Sequence, residues 1–286
     1  MFTRVIYVLI LVSFSFVLSG QTKRALVIGL GEQLDQSWSK INGDKDIPYV
    51  MEYLGNAGYK DITVLKNNEA TKSAIIAAFK SLAHSCRAND IVYIHFSGHG
   101  QQMRDMGNDE IDKKDECWIS FDAYMKPSER YRGEKHLTDD EVNVLMHNIY
   151  RRVGDGGKIL VVVDACHSES STRGEGEVIR GVKDIFVAAK SYLENLQENE
   201  SAIENEEKWI TLSACGSGES NIEMVEPSVG KLTYAIYKIV KNGIPADNKV
   251  FFAGINEFID NNSWSRPQVP AITGVDMKYS ISDILQ

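Results

Sequence analysis

Apolar residues along this chain gather in short β-branched runs, separated by stretches in which they recur at helical spacing. Ala25 to Gly29, Ile62 to Leu65, Ile91 to Phe96, Ile159 to Val163 and Trp209 to Ser213 each read as a strand, and the first, third and fourth, where apolar residues run on with little polar alternation, read as buried strands of a parallel sheet. Between them, Ile47 to Leu54 has helical spacing that stops near Gly58, and Thr71 is placed to cap a helix through about Leu82. Thr138-Asp139-Asp140-Glu141 starts another helix as a capping box, and a further helix is predicted from about Lys231 to Val240. Strand and helix in alternation predict an α/β fold, a mostly parallel sheet with helices on both faces.

Two stretches break this pattern. Arg4, the apolar run from Val5 to Leu18 and the small pair Ser19-Gly20 match a secretory signal, so residues 1–20 are expected to be removed and the protein exported, to a periplasm or outside the cell. The competing reading, a membrane anchor, requires a longer apolar run than this one. No second run of spanning length follows, so no stable membrane span is expected in residues 21–286. The other exception is 168–208, rich in Glu, Ser and Asn, with an amphipathic helix expected from Val182 to Leu196. A connection this long between two strands is either mobile or functional, and its basic residues Arg173, Arg180, Lys183 and Lys190 give it the character of a processing linker.

With 286 residues, 43% hydrophobic and 25% charged, the chain builds one large α/β domain after signal removal. A net charge of -9 lacks the concentrated basic surface that phosphate binding needs, so nucleic acid is not an expected partner. Four cysteines, Cys86, Cys117, Cys166 and Cys215, are too few for a disulfide-built scaffold, and buried reduced thiols are expected.

Two of the strands end in reactive side chains. Ile94-His95-Phe96-Ser97-Gly98-His99-Gly100 and Val161-Val162-Val163-Asp164-Ala165-Cys166-His167-Ser168 deliver one imidazole and one thiol to carboxyl-terminal strand ends, where α/β sheets carry their chemistry. If the strands are neighbours, Cys166 attacks a peptide carbonyl as thiolate and His99 protonates the departing amine, then serves as base for thioester hydrolysis. Backbone N–H groups of Gly100 and Cys166 are the expected oxyanion donors, since glycine beside the histidine admits the substrate main chain. His95 is expected to be a buried, hydrogen-bonded residue, and His167 is not the base. The long separation between the two motifs is expected to hold more than one crossover. Gly29-Leu30-Gly31 lacks the third glycine of a dinucleotide fingerprint, which disfavours a nucleotide site.

These motifs, with Ser213-Ala214-Cys215, Gly230-Lys231-Leu232-Thr233-Tyr234-Ala235 and Arg266-Pro267-Gln268 in order behind them, resemble the caspase-like cysteine peptidases and within them the metacaspases. The resemblance implies a Cys/His dyad without a chemical cofactor and an acidic pocket at Asp46, Ser97 and Asp164. Such a pocket is complementary to a peptide or protein substrate with Arg or Lys before the scissile bond. It also implies activating calcium at Asp115, Asp139 and Asp140, hard oxygen ligands of the kind calcium prefers, and an enzyme of basic-residue preference would be expected to cut its own linker in 168–208. Three positions depart from the family: Gly43 where a cysteine is frequent, Ser217 where an acidic residue is frequent, with Glu219 a replacement, and Arg173 near a calcium-ligand position that Glu169 or Glu175 would then have to fill. Rival readings are a catalytically silent caspase-like module that binds a partner, a Rossmann-like hydrolase or binding protein, and a legumain-like or clostripain-like peptidase of different specificity.

Overall fold

The computed structural model describes residues 21–104, 114–166, 177–182, 184–187, 207–216, 220–263 and 267–286. The signal stretch and most of 168–208 lie outside the described residues. A six-stranded sheet runs in the order β2 (Asp61–Lys66), β1 (Lys23–Gly29), β3 (Ile91–Ser97), β7 (Lys158–Asp164), β8 (Ile210–Ser213), β9 (Ala271–Thr273). The first five strands are parallel and β9 closes the edge antiparallel.

The central strands carry apolar residues on both faces, and the pleat sorts them into two layers. Val27, Tyr93, Leu160 and Val162 face α1 (Gly43–Asn56), α4 (Lys231–Asn242), α5 (Asn248–Asn261) and the short α6 (Ser282–Leu285). Leu26, Ile28, Ile94, Phe96 and Val161 face α2 (Lys72–Ser85) and α3 (Asp139–Val153). The caps form as the side chains dictate. Thr71 Oγ1 accepts from Ala74 N at 3.3 Å, and Thr138 and Glu141 close a capping box at 3.2 and 3.0 Å. Gly154, at φ 66°, ends α3 in a conformation that suits glycine.

The path from β3 to β7 differs from expectation. These strands are neighbours, so one crossover helix, α3, joins them, and the remaining length forms a separate antiparallel sheet of β4 (Gly100–Arg104), β5 (Lys114–Ile119) and β6 (His136–Thr138). Its strands are short and bury polar residues such as Gln101, Gln102 and His136, so no apolar alternation announces them. The helix expected from Val182 to Leu196 is absent over its described residues. Phe186 instead pairs with β4, because its ring fills a site against Tyr131 and His136. Among the described residues no helix is long and apolar enough to cross a membrane.

Candidate active site

The register of the central strands assembles the site. Gly29 pairs with Ser97 and Ser97 with Asp164, so the carboxyl ends of β1, β3 and β7 stop level, and His99 and Cys166 follow two residues beyond that common edge. His99 Nε2 lies 2.8 Å from the carbonyl oxygen of Ser39. A carbonyl only accepts, so Nε2 carries the proton and Nδ1 is left as the basic nitrogen of the neutral ring. Trp38 holds the ring in place, its centroid 5.1 Å away and its own indole N–H donating to Ala123 O at 3.0 Å. His99 and Cys166 are both fully buried, and all four cysteines are reduced and buried.

What lies over them is the chain itself. The carbonyl oxygen of Arg180 accepts from Gly100 N and Cys166 N, each at 3.1 Å. These are the two donors expected of an oxyanion hole. Upstream of that carbonyl, Arg180 N donates to Asn221 O at 3.0 Å and Glu223 N donates to Val178 O at 2.9 Å, an added antiparallel strand. Downstream, Gly181 bridges Gly100, and Phe186 exchanges hydrogen bonds with Gln102 and Arg104 at 2.8 and 3.1 Å.

The side chain of Arg180 enters a closed acidic pocket. Its Nη1 meets Asp46 Oδ2 at 2.8 Å, Ser97 Oγ at 2.5 Å, and the carbonyl and Oδ1 of Asp164 at 3.1 and 3.3 Å. Its Nε donates to Glu223 Oε1 at 2.8 Å, while Nη2 finds no acceptor among the described residues. Asp46, Ser97 and Asp164, from α1, β3 and β7, are therefore brought together as expected, and all are fully buried.

The carboxylates are held unequally. Asp164 takes hydrogen bonds from Thr233 N (2.8 Å), Thr233 Oγ1 (2.6 Å) and Asn221 Nδ2 (2.8 Å). Burial works to raise its pKa, but Arg180 and these donors outweigh it and hold the carboxyl below its usual range. Asp46 receives Gly230 N at 2.9 Å and the Ser97 hydroxyl. Burial dominates there, and with the Asp164 charge nearby it pushes Asp46 up to about 6 against the pull of Arg180. His95 lies beneath, 3.1 Å from the Tyr93 hydroxyl and 3.3 Å from Thr233 Oγ1, and burial lowers it to about 4. It is a neutral support for Thr233, in keeping with the structural role expected of it.

Several contributors carried no recognisable assignment in sequence. Glu223 lies in an irregular stretch with no periodicity, and it is the third carboxylate around the guanidinium; Ser217 and Glu219 lie outside the described residues. The Gly230 to Ala235 landmark supplies Gly230 and Thr233, and Gln268 steadies Asn221 by donating to its Oδ1 at 3.0 Å. Gly43 has no room for a side chain, since a Cβ would stand 2.5 Å from the carbonyl oxygens of Leu30 and Ser97. His167 lies outside the described residues.

Asp115, Asp139 and Asp140 sit apart from this pocket, at β5 and the start of α3. Burial, then the nearby Asp140, Asp115 and Glu116, push Asp139 up to about 8. Among the described residues no three acidic, histidine or cysteine groups converge as a metal cage, and Glu169, Arg173 and Glu175 lie outside those residues.

The metacaspase, peptidase C14 domain model matches residues 23–173. Metacaspase-1 of Ajellomyces capsulatus is 31% identical over 160 residues, 52% of this chain and 41% of that protein. Metacaspase-1B of Aspergillus fumigatus is 31% identical over 194 residues, 59% of this chain and 44% of its own length, so the match spans less than half of either relative. Protein GSU0716 of Geobacter sulfurreducens shares the fold at TM-score 0.63 and 22% identity, covering 88% of this chain and 92% of that one. Caspase-1 of Spodoptera frugiperda does so at TM-score 0.57 and 11% identity, covering 89% and 87%. Taken with a histidine and a cysteine at neighbouring strand ends, the match over more than half the chain shows that this protein belongs to the metacaspase family, peptidase C14.

Proposed function

We propose that this protein is an exported cysteine endopeptidase that cleaves after Arg or Lys through Cys166 and His99, and that its first substrate is its own Arg180–Gly181 bond. The observation that carries the reading is the position of Arg180, with its carbonyl oxygen between two backbone donors, its side chain among three carboxylates and its flanks in strand register. In the reaction His99 Nδ1 takes the Cys166 thiol proton, becoming the imidazolium whose Nδ1–H is the proton given up next, the sulfur adds to the Arg180 carbonyl carbon, and the oxyanion stays between Gly100 N and Cys166 N. His99 gives its proton to the Gly181 nitrogen, the C–N bond breaks and a thioester remains. Water deprotonated by His99 then releases the Arg180 carboxylate and restores the thiol. Peptides ending in a basic residue take the same course once the segment has left.

Calcium belongs to the proposal as an activator. Asp115, Asp139 and Asp140 would supply oxygen ligands toward it, and because no three such groups converge among the described residues, further ligands would have to close the site. The full burial of Cys166 under its own chain also suits a permanently plugged, silent module, so the decisive test is peptide mapping by mass spectrometry of the purified protein, with and without calcium. A break after Arg180 that calcium accelerates and Cys166→Ala abolishes is expected. An intact chain in both conditions, together with no turnover of basic reporter peptides, would refute the peptidase reading.

A further inference from the structure

Resting on that reading of the pocket, we infer that Glu223 makes it select arginine over lysine. The two basic side chains differ where Glu223 acts. Asp46, Ser97 and Asp164 all gather at Nη1, the terminal position that a lysine ammonium also reaches with its charge. Glu223 instead takes the Nε–H at 2.8 Å, a donor that arginine carries partway along its side chain and lysine replaces with a methylene.

Glu223 is held in that role by parts of the chain other than Arg180. Its side chain is 1% exposed and tied to the chain segment ahead of α1, where Asn42 N donates to Oε1 at 2.7 Å and the Asn42 side-chain amide donates to Oε2. While an Arg-bearing strand is docked, the backbone N–H of Glu223 also pairs with it, here with Val178 O, so side-chain and main-chain contacts to the ligand come from the same residue. A lysine in the pocket leaves Oε1 facing a CH₂ group, a buried charged acceptor short of one partner. Sites built to hydrogen-bond a group reject analogues lacking it, and for a bond to a charged acceptor the discrimination is about ten- to a hundredfold. The pocket is thus divided in labour: Asp46 and Asp164 require a positive charge, and Glu223 requires that the charge be a guanidinium.

The test compares kcat/KM for two reporter peptides identical except for Arg or Lys before the scissile bond, in the self-processed enzyme and in Glu223→Ala. The expected result is a wild-type Arg/Lys ratio of about ten or more that falls to within about threefold in Glu223→Ala, with the loss confined mainly to the Arg reporter. A general structural defect would lower both reporters together and leave the ratio standing, which would overturn the inference. Should Glu223→Ala not fold, Arg180→Lys in the full chain gives the same comparison, with self-cleavage slowed about tenfold or more expected and an unchanged rate overturning the inference. Equal turnover of both reporters by the wild type also sinks it while leaving the peptidase reading intact; no turnover of either sinks the peptidase reading and the inference with it.

Discussion

Arg180→Ala, made in a Cys166→Ala background so that no cleavage intervenes, isolates the occupancy of the pocket. The substitution removes a fully buried guanidinium that pairs with Asp46, Asp164 and Glu223. Losing one partner of a buried ion pair costs about 3–5 kcal/mol, and because Nη2 has no acceptor among the described residues the low end, about 3 kcal/mol, is the appropriate figure. The same energy is read twice. In the parent chain an external peptide must first displace Arg180, so at 1.4 kcal/mol per tenfold its affinity is weakened about a hundredfold. In folding, about 3 kcal/mol lowers the melting temperature of a domain this size by roughly 6–12 °C. The assay is calorimetric titration of an arginine-terminated peptide amide into both proteins, with thermal melts alongside. About a hundredfold tighter binding to the Arg180→Ala variant, and recovery of the lost melting temperature when the peptide is added, are expected. Equal affinity for the two proteins would show that Arg180 does not occupy the pocket a substrate uses.

Two further outcomes follow from the pocket walls. A Cβ at Gly230 would stand 2.1 Å from Asp164 Oδ2 and 2.6 Å from Arg180 Nη1, so Gly230→Ala should raise KM for Arg reporters about tenfold or more with a smaller effect on kcat, and an unchanged KM would remove Gly230 from the pocket. Asp46 is raised to about 6 with Arg180 in place, and without that guanidinium it rises further, so KM should climb as pH falls toward about 6 and level off below it, and Asp46→Asn should flatten the profile. The stability sign is opposite for the two carboxylates. The raised Asp46 favours the fold at low pH and loses that contribution as pH rises from its unfolded value of about 3.9 through about 6, whereas the depressed Asp164 contributes above about 3.9 and loses it as pH falls through its folded value.

Much of the site was legible because strand chemistry is local. Consecutive Ile and Val mark β3 and β7 as central, so the placement of His99, Gly100 and Cys166 just beyond neighbouring strand ends follows from position alone. The resemblance to metacaspases placed Asp46, Ser97 and Asp164, and the register of β1, β3 and β7 brings them level. The antiparallel sheet of β4, β5 and β6 was not legible, since its short strands bury glutamines and a histidine and so carry no alternation.

By itself the sequence determined which strands are central and that an imidazole and a thiol follow their carboxyl ends, because hydrophobic patterning acts over a few residues. Only the tertiary structure decided that Arg180, rather than another basic residue of 168–208, is seated in the pocket, and that Glu223 receives its Nε–H. Those pairings join Asp46, Asp164, Arg180 and Glu223 across distant parts of the chain, and a buried charge finds its partners through the closure of the whole fold, which no local pattern encodes.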